Sequence, residues 1–221
     1  MSTHANLSPS KRSRWGACPG SIREEAKYPD DRSGPAAIDG THTHSLLNWC
    51  LSQPDQVIGD PKSQIGYTMK DDDGEFIIQG DRASRVQFAL DYIMRRKIEM
   101  EAIRVYSEER VNPVSVFHRN DLAGTCDVII MGESSLEIID YKDGMGIVDA
   151  KGNAQMEQYL IGFLSPFIGS GSPVPWKTIR MTIIQPKLRE RGMDGISYHE
   201  IDVSEVPRIV GAIQQQAAAT D

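Results

Sequence analysis

Apolar positions fall into helical and alternating stretches that divide the chain cleanly. Leu46, Leu47, Cys50 and Leu51 form one stripe, which predicts a helix from about Asp39–Thr41 to Ser52. Val86, Ala89, Leu90, Ile93 and Met94 share one side of a longer helix over about 81–100. Helices are also predicted over 151–164 and 204–219. Ser8-Pro9-Ser10 ahead of Lys11-Arg12-Ser13-Arg14-Trp15 predicts a short basic helix that ends before Pro19-Gly20. Residues 28–37, rich in Pro, Asp and Gly, are expected to be a mobile loop. Strands are predicted at Phe76-Ile77-Ile78, after the turn Asp71-Asp72-Asp73-Gly74, and over 104–111, 125–131, 136–142, 178–185 and 195–202. The stretch 178–185 alternates with Ile179, Met181 and Ile183 on one face and stops at Pro186. Helices, then a block of antiparallel strands, a helix and further strands describe one α/β domain and not a repeating βαβ fold.

Composition narrows the function only slightly. With 221 residues, 39% apolar and 25% charged, the chain can bury a core without metal or disulfide support. Three widely spaced cysteines (Cys18, Cys50, Cys126) exclude an internal four-cysteine zinc or iron–sulfur site and are expected to be reduced thiols. No apolar run reaches bilayer length, and the first residues lack a signal-peptide layout, so a cytoplasmic protein without membrane contact is expected. The net charge of −7 argues against a coating role on nucleic acid. It leaves room for an acidic, metal-loaded centre.

The acid-x-Lys pattern of metal nucleases occurs at Glu25-x-Lys27, Asp60-x-Lys62, Asp140-x-Lys142 and Asp149-x-Lys151, and only Asp140 and Lys142 end an apolar strand. Alternation places Leu136, Ile138, Asp140 and Lys142 on one face. If residues 132–135 form the hairpin loop, Met131 opposes Leu136, and counting outward Asp127 opposes Asp140 with Cβ atoms roughly 5 Å apart. Two buried carboxylates so placed require a shared proton or a cation, and hard oxygens suit Mg²⁺ or Mn²⁺. A surface hairpin in which Lys142 pairs with either aspartate is the competing reading.

At this point the chain resembles the PD-(D/E)XK nuclease superfamily, in its RecB-like and λ-exonuclease-like branch, and particularly its phage-encoded members. The likeness rests on Trp15-x-x-Cys18-Pro19-Gly20-Ser21, Gly40-Thr41-His42-Thr43-His44, Gly124-Thr125-Cys126-Asp127, Ile139-Asp140-Tyr141-Lys142-x-Gly144, Gln155-x-x-x-Tyr159 and Ile184-Gln185-Pro186. It departs in having Cys126 before the first aspartate and Asp rather than Glu before the lysine. The resemblance implies a restriction-endonuclease-like core with a mixed central sheet flanked by helices, in a single domain: an N-terminal helix and loop over 1–38, helices with a catalytic hairpin over 39–164, and closing strands and helix over 177–221. It implies a Mg²⁺- or Mn²⁺-dependent exonuclease that processes double-stranded DNA ends for phage recombination or repair, in the host cytoplasm.

By the same resemblance His44, Asp127, Asp140 and the Tyr141 carbonyl are metal ligands, and Lys142 orients or deprotonates water or neutralises the phosphate. Gln155 and Tyr159, one helical turn apart, face the scissile nucleotide. His42 is read as a surface residue. Lys11, Arg12, Arg14 and Trp15 are candidate DNA contacts, Lys187-Leu188-Arg189-Glu190-Arg191 is a second basic candidate, and Glu109 is a candidate support for the metal site. Relatives imply a single-strand annealing or single-strand-binding partner and a homo-oligomer. Two other readings stay open: a structure-specific or restriction-type endonuclease, and a catalytically inactive DNA-end-binding module.

Overall fold

The structure, a computed structural model, describes residues 6–28 and 34–221. In chain order its helices and strands are α1 (Arg12–Trp15), α2 (Ser21–Glu25), α3 (Pro35–Leu51), β1 (Thr68–Asp71), β2 (Gly74–Ile77), α4 (Gly80–Glu99), β3 (Arg104–Val111), α5 (Val114–Phe117), β4 (Gly124–Met131), β5 (Ser135–Tyr141), α6 (Ala154–Ser170), β6 (Thr178–Ile184), β7 (Ile196–Asp202) and α7 (Val206–Ala218). The first of the expected loop residues, Tyr28, and the last four, from Gly34, are described. Residues 29–33, and the first five residues, lie outside the described part.

The helix with the Leu46 stripe starts at Pro35, four residues earlier than expected, because proline is well suited to a first helical turn. The α6 helix begins where Asn153 caps it, its side chain accepting the Met156 N–H. It runs past Pro166 to Gly171, whose φ of 69° closes it, so it is longer than the periodicity suggested. The short helices α2 and α5 carry too few turns to leave a periodic signal.

Five strands form one sheet in the order β3-β4-β5-β6-β7. Every neighbouring pair is antiparallel except β5 and β6, which run parallel and are joined through α6. The sheet is therefore mixed, as expected. A separate hairpin, β1 with β2, packs beside α3. Each face of the sheet buries its own core. Ile129, Leu136, Ile138, Met181 and Ile183 meet Met156, Leu160 and Leu164 of α6 and Ile209 and Ile213 of α7. Val128, Ile130, Ile139, Tyr141 and Ile184 meet Leu46, Leu47 and Cys50 of α3 and Val86, Ala89, Leu90 and Ile93 of α4. Complete burial of two opposed apolar faces is the main stabilising contribution, at roughly 25 cal/mol per Å² removed from water. At Gly124 a Cβ would lie 2.5 Å from Pro9 and 3.1 Å from Tyr159, so only glycine lets the N-terminal segment and α6 close over β4.

Among the described residues no helix is long and apolar enough to cross a membrane. Cys50 and Cys126 are buried free thiols and Cys18 is an exposed one.

Candidate active site

The hairpin register is the one counted from the turn: Met131 faces Leu136, Ile129 faces Ile138 and Val128 faces Ile139. One step further the ladder stops. There the Asp127 side chain takes over, and its Oδ2 accepts the Tyr141 N–H at 2.6 Å. Asp127 and Asp140 are both buried at this end of the sheet.

Among the described residues, the group nearest to a ligand set is His44, Glu108 and Asp127, whose side-chain donor atoms lie within 4.8 Å of one another. His44 comes from α3, with Nδ1 3.5 Å from Asp127 Oδ1 and its ring edge-on to Tyr141. The Ser107 hydroxyl donates to Asn48 Oδ1 at 2.8 Å, one turn of α3 beyond His44, and so fixes the helix against β3. Glu108 adopts a left-handed backbone, φ 51°. For a non-glycine residue that costs on the order of 1–3 kcal/mol, and such strain gathers at functional positions.

One expectation needs correction. Glu108, not Glu109, is the β3 acid of the site: Ser107 faces Val128 and Glu109 faces Cys126, so Glu108 is the residue level with Asp127. The long connection between β3 and β4 hid that register, since no tight turn fixes it. Asp140 is not one of those three, and Lys142 and Gln155 engage its carboxylate. Lys142 Nζ lies 3.1 Å from Oδ1 and 2.9 Å from Oδ2, and Gln155 Nε2 donates to Oδ1 at 2.9 Å. Oδ2 has this ion pair but makes no hydrogen bond.

Gln155 is the hub of this polar group. Its Oε1 accepts from Lys142 at 3.0 Å, and its Nε2 also donates to the Tyr159 hydroxyl at 2.9 Å. The shared helix face of Gln155 and Tyr159 is thus real. Tyr159 is 5% exposed, so its ring belongs to the core and only its hydroxyl joins the site.

Electrostatics agree with the geometry. Burial, then the neighbouring Asp127 carboxylate, raise the Asp140 carboxyl above its ordinary range. Desolvation and Asp127 push Glu108 up to about 7, although much of its side chain is exposed. Burial works against the Lys142 ammonium, but Asp140 and Asp127 outweigh it and raise its pKa, so Lys142 stays a cation. Crowded acids around the Lys142 ammonium fit a divalent cation.

Tyr141 contributes its N–H to Asp127 and its hydroxyl to Asp143 at 3.0 Å. Asp143 also accepts from Thr43 at 3.1 Å and pairs with Arg85 at 3.0 Å and Lys187 at 3.1 Å. Because Thr43 adjoins His44, this buried network sets α3 against the end of β5. Asp39 extends it through Arg82, Arg85 and Lys187. Partial burial opposes the Asp39 charge, but Lys187, Arg82 and Arg85 outweigh it and hold the pKa at about 2. Because this value lies below the ordinary 3.8, the stabilisation is complete above pH 3.8 and is lost as pH falls through about 2. Asp39→Asn is therefore expected to lower the melting temperature at pH 6 and to shrink the further loss between pH 4 and 2. Equal acid sensitivity in both proteins would refute the assignment.

The N-terminal basic group is not a DNA patch as a whole. Trp15 is 0% and Arg12 2% exposed. Trp15 Nε1 donates to the Ser8 carbonyl, and Arg12 holds Glu157, Gln216 and the Ala154 carbonyl. A tryptophan placed as core cannot stack on a base. Lys11 and Arg14 are at the surface, both paired with Glu25. His42 is buried as well, against Phe76 and Asp71, and is not a surface residue. Lys187 is committed to Asp39 and Asp143.

A family match spans residues 4–220, nearly the whole chain. The chain belongs to the DUF2800 family. That family is described as "Protein of unknown function". Among solved structures, this DUF2800 chain is similar to an alkaline exonuclease from Laribacter hongkongensis, at 13% identity over 61% of this chain and 67% of that one, with a TM-score of 0.31. It is also similar to a protein of Eubacterium rectale designated a presumptive exonuclease, at 9% identity over 97% of this chain and 82% of that one, with a TM-score of 0.43.

Proposed function

We propose that the chain is a Mg²⁺- or Mn²⁺-dependent deoxyribonuclease of the PD-(D/E)XK type that processes double-stranded DNA ends, as an exonuclease in phage recombination or repair. The observation that carries this reading is the convergence of His44, Glu108 and Asp127 within 4.8 Å, beside the half-buried Asp140–Lys142–Gln155 group. His44, Glu108 and Asp127 would hold the ion, joined by Asp140 through Oδ2 and by the Tyr141 carbonyl. When bound, the ion supplies a water of lowered pKa and positive charge at the phosphate.

The chain's own residues supply the rest. Lys142, held as an ammonium, suits neutralising the non-bridging phosphate oxygens and orienting the attacking water better than taking its proton. Gln155 positions Lys142 and Asp140 together, and the Tyr159 hydroxyl fixes Gln155. Lys11 and Arg14 are the remaining N-terminal candidates for backbone contacts. A single-strand annealing or single-strand-binding protein would take up the strand left after resection. Assembly of several copies on the duplex also follows from the resemblance.

The test is digestion of an end-labelled linear duplex and of a covalently closed circle with Mg²⁺, Mn²⁺ or EDTA. The linear duplex should be degraded with either ion, EDTA should stop the reaction, and the circle should stay intact. Cutting of the circle would turn the reading to an endonuclease, and no hydrolysis under any condition would overturn it. In the same assay Lys142→Ala should lower the rate roughly 10²-fold, the scale of one pre-organised electrostatic partner.

A further inference from the structure

A cavity of about 530 Å³ opens beside α4 and the edge strand β7, away from His44, Glu108 and Asp127. Arg95, Arg96, Arg180 and Arg189 line it with Tyr92 and Tyr198, against only two acids, Glu99 and Asp194. In a chain of net charge −7 this is a marked concentration of positive charge. The guanidinium groups are also held in place. Arg95 lies over the Tyr92 ring, Arg180 over Tyr198 and Arg189 over Phe88, at 5.3, 4.3 and 4.9 Å.

Not all four cations are available. Arg96 is bound to buried Glu137 and to Glu99, and Arg180 to Glu200. Arg95 stands 3.8 Å from Glu99, beyond a hydrogen bond, and Arg189 has no carboxylate partner among the described residues. Two stacked guanidinium forks with donors to spare match a phosphate better than a point charge would. Tyr198, 57% exposed, offers aromatic surface for a base. An acidic peptide would use the arginines but gain nothing from that ring.

The geometry points to a nucleotide-phosphate subsite, with Arg95 and Arg189 on the phosphate and Tyr198 against the base. Phe88 lies one helical turn from Arg85, which pairs with Asp143 beside the end of β5, so the cavity starts at the end of the sheet that carries the candidate site. The nucleotide comes either from a DNA strand or from a free mononucleotide. The strand version rests on the deoxyribonuclease reading, and the mononucleotide version does not.

Binding of a 3′-fluorescein-labelled thymidine 12-mer to the full chain, followed by anisotropy in EDTA, tests this without any hydrolysis. Arg95→Gln/Arg189→Gln should weaken binding roughly tenfold or more and Tyr198→Leu several-fold. The altered groups are at the surface, and unchanged thermal unfolding would show that the fold is kept. Competition by thymidine monophosphate at comparable concentration assigns the site to a free nucleotide, and competition by unlabelled 12-mer alone assigns it to a strand. Unchanged affinity in the arginine variant overturns the proposal. So does competition by poly-glutamate as strong as by the 12-mer together with an unaffected Tyr198→Leu, because the cavity would then be an acidic-protein site. Hydrolysis with Mn²⁺ is read in a separate assay, so loss of either reading leaves the other testable.

Discussion

Asp127→Asn is expected to reduce duplex hydrolysis by roughly 10²–10³-fold while leaving the fold intact. The substitution is nearly isosteric. It keeps an oxygen that can accept the Tyr141 N–H, which in the native chain meets Oδ2 at 2.6 Å. It removes the carboxylate that lies 3.5 Å from His44, in the same 4.8 Å group as Glu108, and that raises the Asp140 pKa through its charge. Loss of that charge weakens cation binding and lets the Asp140 proton leave more easily. The rate should therefore fall most at low metal concentration and recover in part with excess Mn²⁺. Initial rates on an end-labelled duplex across a Mn²⁺ series measure this. Full activity in the variant would move the chemistry elsewhere.

The largest stability effect is expected at Glu137, far from that chemistry. Its side chain is 0% exposed on the α4 face of β5. It accepts hydrogen bonds from the Tyr92 hydroxyl and Thr182 Oγ1, both at 2.7 Å, and from Arg96 Nε at 2.6 Å. Glu137→Leu leaves these donors without their acceptor and Arg96, 13% exposed, without its inner partner. Breaking one side of a buried pair costs about 3–5 kcal/mol. The lower end is expected, since Arg96 keeps Glu99. Chemical denaturation measures the loss, and Glu137→Leu/Arg96→Met should recover part of it because no buried cation is left alone. A loss below about 1 kcal/mol would show that the pair adds little.

The sheet was legible in the sequence wherever a short turn fixed the register. The 132–134 connection between β4 and β5 let Asp127 and Asp140 be placed by counting, and the Asp140–Lys142 contact followed from alternation. Gln155 and Tyr159 were legible because helical spacing is rigid. Glu108 was not, because a residue with φ 51° departs from strand alternation and its register hangs on a long connection. Arg12 and Trp15 misled for a different reason. A basic run with an aromatic reads as surface until its partners, Glu157, Gln216 and the Ser8 carbonyl, are brought in from distant parts of the chain. The Asp39–Asp143–Lys187 network was hidden likewise, since it joins α3, the end of β5 and the segment after β6.

Crystals grown with Mn²⁺ and measured at its absorption edge test the central claim most directly. An anomalous peak bonded to Asp127 and to at least one of His44 and Glu108, absent from Asp127→Asn crystals, is the predicted result. An empty site in crystals with Mn²⁺ bound elsewhere, or a peak that persists without the Asp127 carboxylate, would contradict it.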